Sequence, residues 1–327
     1  MSSILKKFID KCLSVSRLGD KWFNGLLQNV VEAGRTISYV ETLSNKADTF
    51  HLEIKQRDKK TFMHEFEKGV RFAIAKLRLK KVKIAFDTTE DLTWMKTTYN
   101  LRPSAYDKHL PAWHYLNVSI VEPYFIPLMS IPYTMLNDLD NLVIDLLQFI
   151  KTLPISVGLI LFDRGFYHAH LIDYLDNRLW NYLMLVPKNK KVKEYIKQTD
   201  SFNFFHHEFD YKKDKSSWKT STTIIVKRID EKTCWCYATN QKPSLLLVLE
   251  YSKRWNIETG FRIHDEAKIK SKSKYLLIRF FYHLLGMLLI ILWRLQNKVE
   301  YYVFKRYLKF VEYQFYPGEV KELLAPP

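Results

Sequence analysis

The sequence predicts an α/β protein: a mixed sheet flanked by helices, an N-terminal helical region, and a β-strand insertion before a late helix. Three observations carry this. Apolar spacing switches from helical to alternating near residue 80. A continuous apolar run, Val157 to Phe162, reads as a strand buried on both faces. Alternation then returns from residue 222 to 239, inside a lysine-rich stretch.

In order, residues 1 to 75 read as helical, with apolar residues at Ile4, Phe8 and Cys12 and again at Phe62, Phe66 and Val70. Scattered lysines and arginines make this region either a DNA-binding unit or a helical support. Val82, Ile84 and Phe86 alternate with Lys81, Lys83 and Ala85, predicting a strand that ends at Asp87. Residues 88 to 112, with Lys96, Arg102 and Lys108, lack periodicity and are expected to form a long loop. Trp113 to Val121 and Tyr124 to Ile131 add two strands, completing an antiparallel meander. Asn137 to Lys151 is a helix with Leu142, Leu146 and Ile150 inward, stopped by Pro154. The apolar strand 157–162 ends at Asp163, a helix through Leu171 and Leu175 follows, and Tyr182 to Val186 is a fifth strand.

Residues 188 to 244 differ in character. They carry Lys188, Lys190, Lys191 and Lys193, then Lys212, Lys213 and Lys215, and a hairpin framed by Thr222–Lys227 and Thr233–Thr239. A helix from Leu245 to Ile257 would place Tyr251, Arg254 and Glu258 on one face. Tyr275 to Trp293 is strongly apolar, but Arg279 and His283 leave a clean run too short for a span, so a buried core helix is expected. The expected divisions are therefore 1–75, 76–187, 188–244, 245–300 and a basic, aromatic tail over 301–327.

The chain has 327 residues and a formal charge of +16, which points to a polyanionic partner, most simply nucleic acid. Its 9 glycines include no phosphate-cradling fingerprint, and no nucleophile elbow supports a serine hydrolase. Cys12, Cys234 and Cys236 complete no zinc set and read as reduced thiols. Glu90 and Asp91 read as solvated. Asp138, Asp140 and Asp145 suit a helix start and face, and His206-His207 a polar surface.

If the first strand and the apolar fourth are neighbours, Asp87 and Asp163 end side by side. Two carboxylates so placed repel, and a divalent cation would relieve them, with Glu258 as a third ligand. A strand-end aspartate serves equally well as a cap of the following turn.

The blocks Phe86-Asp87-Thr-Thr, Leu161-Phe-Asp163-Arg-Gly-Phe-Tyr and Tyr251-x-x-Arg254-x-x-x-Glu258 resemble those of DDE transposases of bacterial and archaeal insertion sequences. The likeness is to the group whose third block carries Tyr, Arg, Glu and a later Lys, and it spans residues 80 to 295. It implies an RNase H-like core, cleavage and strand transfer at element ends, and two Mg²⁺ ions, with Mn²⁺ able to substitute. Asp87, Asp163 and Glu258 would be the catalytic metal ligands. Tyr251 and Arg254 would contact DNA, with Lys253, Arg262, Arg164, Lys188 and Lys190 as further phosphate contacts. The group's lysine, seven residues after the glutamate, is Asp265 here, so Lys268 or Lys270 would stand in. Partners would be double-stranded DNA, as element ends and target, and a second copy of the chain. No membrane role is implied, and the location would be the cytoplasm and nucleoid of a prokaryote. A structure-selective nuclease on the same fold, or a DNA-binding protein that no longer cuts, are the alternatives.

Overall fold

The computed structural model describes residues 2–13, 20–43, 47–93, 101–105, 107, 109–213, 216–266, 268–296 and 304–315. Lys96, Lys108, Lys215 and the tail beyond 315 lie outside them. The N-terminal region comprises α1 (Ser2–Leu13), α2 (Asp20–Thr36), α3 (Val40–Leu43), α4 (Ala47–Lys55) and α5 (Lys59–Lys76). Asp58 caps α5 by accepting from the Thr61 N–H.

The sheet then begins with β1 (Lys81–Leu92), β2 (Arg102–Pro103), β3 (Pro111–Glu122) and β4 (Ile126–Tyr133). The expected loop starts later than residue 88, because Thr88 to Leu92 stay paired with β3, Thr88 opposite Leu116 and Leu92 opposite Ala112. Cross-strand pairing here outweighs the weak strand preference of Thr-Thr-Glu-Asp. β3 also pairs antiparallel with β4, so the meander forms as expected. Next come α6 (Leu139–Lys151), β5 (Ser156–Phe162), α7 (Ala169–Asn177) and β6 (Tyr182–Leu185). β1 and β5 run parallel, as do β5 and β6.

The insertion folds as α8 (Lys190–Lys197), β7 (Phe202–Lys213), β8 (Ser216–Arg228) and β9 (Cys234–Thr239). Its expected hairpin is β8 and β9, and β7 extends it. β9 pairs with β6, so the insertion continues the central sheet. Among the described residues the sheet has nine strands, ordered β2-β3-β1-β5-β6-β9-β8-β7 with β4 on β3. His206 is exposed and pairs with Glu208 at 3.2 Å, whereas His207 is buried against Tyr195. The histidine pair is therefore only half surface, since neighbours on a strand face opposite ways.

The last elements are α9 (Leu245–Glu250), a 3₁₀ turn Tyr251–Arg254, α10 (Trp255–Glu266), α11 (Leu276–Arg294) and α12 (Phe304–Phe315). The helix expected to run unbroken through Tyr251 and Glu258 is thus interrupted. α11 has a mean hydropathy of 2.1 over its apolar window, and 83% of that window is buried inside the fold. Phe8, Phe50 and Phe62 pack on its Phe281. The N-terminal helices share one core cluster with the sheet.

Candidate functional site

The site is built where the parallel pairing of β1 with β5 stops, β5 ending and β1 running on beside β3. Ala85 pairs with Leu161 in the parallel ladder, so Asp87 and Asp163 each lie two residues past that pair. Between pair and acid, Phe86 and Phe162 are fully buried and stack at 5.1 Å with an interplanar angle of 13°, locking the two strand ends together. Asp163 holds the N-cap position of a 3₁₀ turn, Arg164–Phe166, yet its side chain makes no capping hydrogen bond. Asp87 accepts from the next residue's N–H, Thr88, at 2.8 Å, and contacts Arg254. Neither carboxylate is committed to a helix.

Glu258 comes from α10, and several contacts fix that helix. The Asn256 side-chain amide donates to the Val121 carbonyl at 3.0 Å, and Ile257 is fully buried. A Cβ on Gly260 would lie 2.1 Å from the Phe125 ring, so only glycine lets α10 approach the β3–β4 corner this closely. Before α10, Lys83, Glu122, Glu250 and Lys253 form an alternating ion cluster that ties the 3₁₀ turn to β1 and β3. Within that turn the Tyr251 hydroxyl donates to the Phe162 carbonyl at 3.1 Å, one residue before Asp163.

Arg254 sits among the three acids. It is only 6% exposed. One of its terminal nitrogens is 3.8 Å from Asp87 Oδ2, and the other donates to Glu258 Oε1 in a short contact. Its Nε is buried without an acceptor. Burial pushes the Asp87 carboxyl up to about 6; Arg254 and the Thr88 N–H oppose this, while Glu258 and Asp163 add to it. One guanidinium therefore does not balance the acids around it. Oxygen-only donors short of positive charge fit a hard divalent cation. As placed, however, the acids surround Arg254, and among the described residues no three His, Cys, Asp or Glu side chains converge on a common metal position.

A cleft of about 690 Å³ opens from this point, lined by Asp87, Glu258, Arg262 and Asp265 and by five residues the sequence did not single out as site residues: Thr88, Thr89, Ala105, His114 and Phe261. Glu90 also lines it. Far from being solvated, Glu90 accepts from Ser104 Oγ at 2.5 Å and from the Ala105 N–H at 2.9 Å. His114 stands opposite Glu90 in the ladder, a juxtaposition hidden once residues 88 to 112 are read as a loop.

Residues 141–293 match the family described as Transposase DDE domain, a range that contains Asp163 and Glu258 and stops short of Asp87. Seven chains of solved structures match this one. Among them is a piggyBac transposase synaptic complex with hairpin DNA, determined by cryo-EM. It is 13% identical, with a TM-score of 0.60, and the match covers 96% of this chain and 77% of that one. The likeness is one of fold, and the mixed sheet flanked by helices corresponds to an RNase H-like core. No curated protein matches the sequence.

Around the three acids, the expected DNA contacts divide into two sets. Arg164, Arg262, Lys188 and Lys190 are exposed. Of the others, Tyr251, Lys253 and Lys268 already have partners within the protein. Tyr251 is 2% exposed and packs on Tyr237, so burial gives it a packing role in place of the expected DNA contact. Lys253 is paired with Glu122 and Glu250. Lys268 is paired with Asp91 at 3.2 Å. Lys270 is half-buried, its backbone carbonyl accepting from the Val40 N–H at 2.9 Å.

Proposed function

We propose that this protein is a transposase that cuts and joins double-stranded DNA at the ends of an insertion element, using Asp87, Asp163 and Glu258. The observation that supports this most is the register of β1 on β5, which leaves Asp87 and Asp163 side by side, each two residues past the last parallel pair, with Glu258 brought to the guanidinium that faces Asp87. A transposase DDE domain over residues 141–293 adds to it.

In this reading the three carboxylates hold divalent metal, Mg²⁺ or Mn²⁺, as oxygen ligands suit these ions. Once bound there, two such ions would activate the attacking oxygen and neutralise charge on the leaving one. The protein's own part is to fix the strand ends through Phe86 and Phe162, to carry Glu258 on a helix clamped by Asn256 and Gly260, and to exclude bulk water from the floor of the cleft. Arg262 lines the cleft and exposed Arg164 follows Asp163, both free to hold phosphates, and Lys188 and Lys190 extend the basic surface along the insertion. Joining two ends calls for two sites, so a homodimer on DNA is the expected working form. The cytoplasm and nucleoid are where its substrate would be met.

The test is a gel assay on labelled duplex carrying the element's ends, with Mg²⁺ and with chelator, comparing wild type with Asp163→Asn. Metal-dependent nicking and end joining by wild type, with cleavage lost and DNA binding kept in Asp163→Asn, is the expected outcome. Nicking without joining would favour a structure-selective nuclease. Full activity in Asp163→Asn would remove the carboxylate from the chemistry, and binding without any metal-dependent nicking would favour a non-catalytic DNA-binding protein.

A further inference from the structure

Arg254 is placed where a DNA-processing site can least tolerate a permanent cation. It is 6% exposed, and it faces both the β1 acid and the α10 acid. A guanidinium and a divalent ion carry the same sign and draw on the same carboxylate oxygens, so each weakens the other's hold at this depth. The acids also need one of the two, because two ionised carboxylates alone in a buried corner repel. Either Arg254 or metal, rather than both in these positions, satisfies the corner.

The surroundings give Arg254 a second place to go. Its guanidinium lies 5.6 Å from the Tyr251 ring centroid and 5.8 Å from that of Trp255. Tyr251 is fixed in the core by its bond to Phe162, whereas Trp255 is 52% exposed and begins α10. A swing toward Trp255 keeps an aromatic face beneath the cation while turning its donors outward. There a phosphodiester would accept two parallel N–H bonds, the geometry for which arginine is best suited. The fully buried Nε, which has no acceptor in its present position, would gain one.

We propose that Arg254 is a resident counter-ion that competes with divalent metal at Asp87 and Glu258, and that DNA phosphate draws it off, so that metal and DNA bind cooperatively. This rests on the metal-site reading above and adds to it an order of assembly: metal held weakly by the free protein and firmly once DNA is in the cleft. By linkage, DNA binding is strengthened by metal by the same factor.

The experiment follows unbound Mn²⁺ by its EPR signal during titration into wild type, Arg254→Gln and Asp87→Asn. It is run with and without a short duplex DNA, with the signal from DNA alone subtracted. Wild type with duplex should bind Mn²⁺ on the order of tenfold more tightly than wild type without it, within the usual range for coupled sites. Arg254→Gln without DNA should already show most of that gain, and DNA should add little more. Asp87→Asn should lose the binding in both conditions. The wild-type comparison needs no variant, so misfolding of Arg254→Gln would not remove the test. Carboxylate-dependent Mn²⁺ binding that is unmoved by both DNA and Arg254→Gln overturns the counter-ion proposal and leaves the metal site standing. Absence of any Asp87-dependent binding overturns both.

Discussion

Asp87 and Asp91 lie four residues apart on β1 and so on the same face, yet they sit in opposite electrostatic settings. Asp91 is clasped by Lys268 at 3.2 Å and Arg279 at 2.8 Å. Burial alone would raise its carboxyl, but these two cations outweigh that and hold it below the ordinary range. Asp87 shares a single guanidinium with Glu258 and Asp163 and is pushed up to about 6. One acid has more than enough cation and the other too little. The difference teaches where on this strand structure ends and chemistry begins, because a fold gains nothing from leaving buried charge unbalanced, whereas a metal or DNA site requires it.

The largest effect belongs to the balanced cluster. Asp91→Asn would leave Lys268 and Arg279 facing each other without their acid, and breaking such a buried pair costs on the order of 3–5 kcal/mol. Because the Asp91 carboxyl is held low, its contribution is fully present above the usual carboxylate range and fades as pH falls through its lowered value. Urea unfolding at neutral pH should therefore show a large drop in midpoint with an unchanged slope. A loss below about 1 kcal/mol would place this cluster with ordinary surface pairs.

The unbalanced cluster should respond with the opposite sign. A carboxyl raised from its ordinary value to about 6 destabilises the folded state once it ionises. The penalty is absent well below its ordinary value, grows as pH rises, and is complete above about 6. In chelator, Asp87→Asn should then stabilise the protein at pH 7 to 8 by on the order of 1–3 kcal/mol, two pKa units being the upper end. The gain should shrink to a small fraction near pH 4 and vanish well below it in thermal unfolding. Destabilisation at pH 8 would mean that Asp87 is as well matched as Asp91, and the contrast would collapse.

How much of this contrast was readable beforehand depends on the range of the interactions. The end of β5 at Asp163 was legible, since its apolar run stops at the acid, whereas the strand expected to end at Asp87 runs on to Leu92, and its pairing with β5 was a condition the sequence left open. The roles of the cations were not. Lys253 and Lys268 look like free phosphate contacts in sequence, but their partners Glu122 and Asp91 are more than a hundred residues away and meet them only through β3 and β1. Tyr251 was read on a continuous helix face. No glycine or proline marks the 3₁₀ turn that tucks it under Phe162, because the turn is set by packing instead of local preference. Glu90 and Asp91 were read as solvated because the pairing of residues 88 to 92 with β3 is a tertiary choice that their own strand propensity opposes.

The smallest expected effect extends the comparison to the surface, where it separates engaged cations from available ones. Lys190 is exposed at the start of α8, while Lys253 is tied to Glu122 and Glu250. A lysine that releases a counterion from DNA adds about 0.9 to the slope of log affinity against log salt. Lys190→Ala should therefore lower that slope by about 1 and weaken binding evenly across sequences. Lys253→Ala should leave the slope unchanged, since its charge is already neutralised within the protein, and should instead lower thermal stability slightly, as expected for a network at the surface. Fluorescence anisotropy of a labelled duplex over a salt series reads both variants. If Lys253→Ala changes the slope as much as Lys190→Ala does, the ion cluster opens on DNA, and the pairing seen around the 3₁₀ turn belongs to the free protein alone.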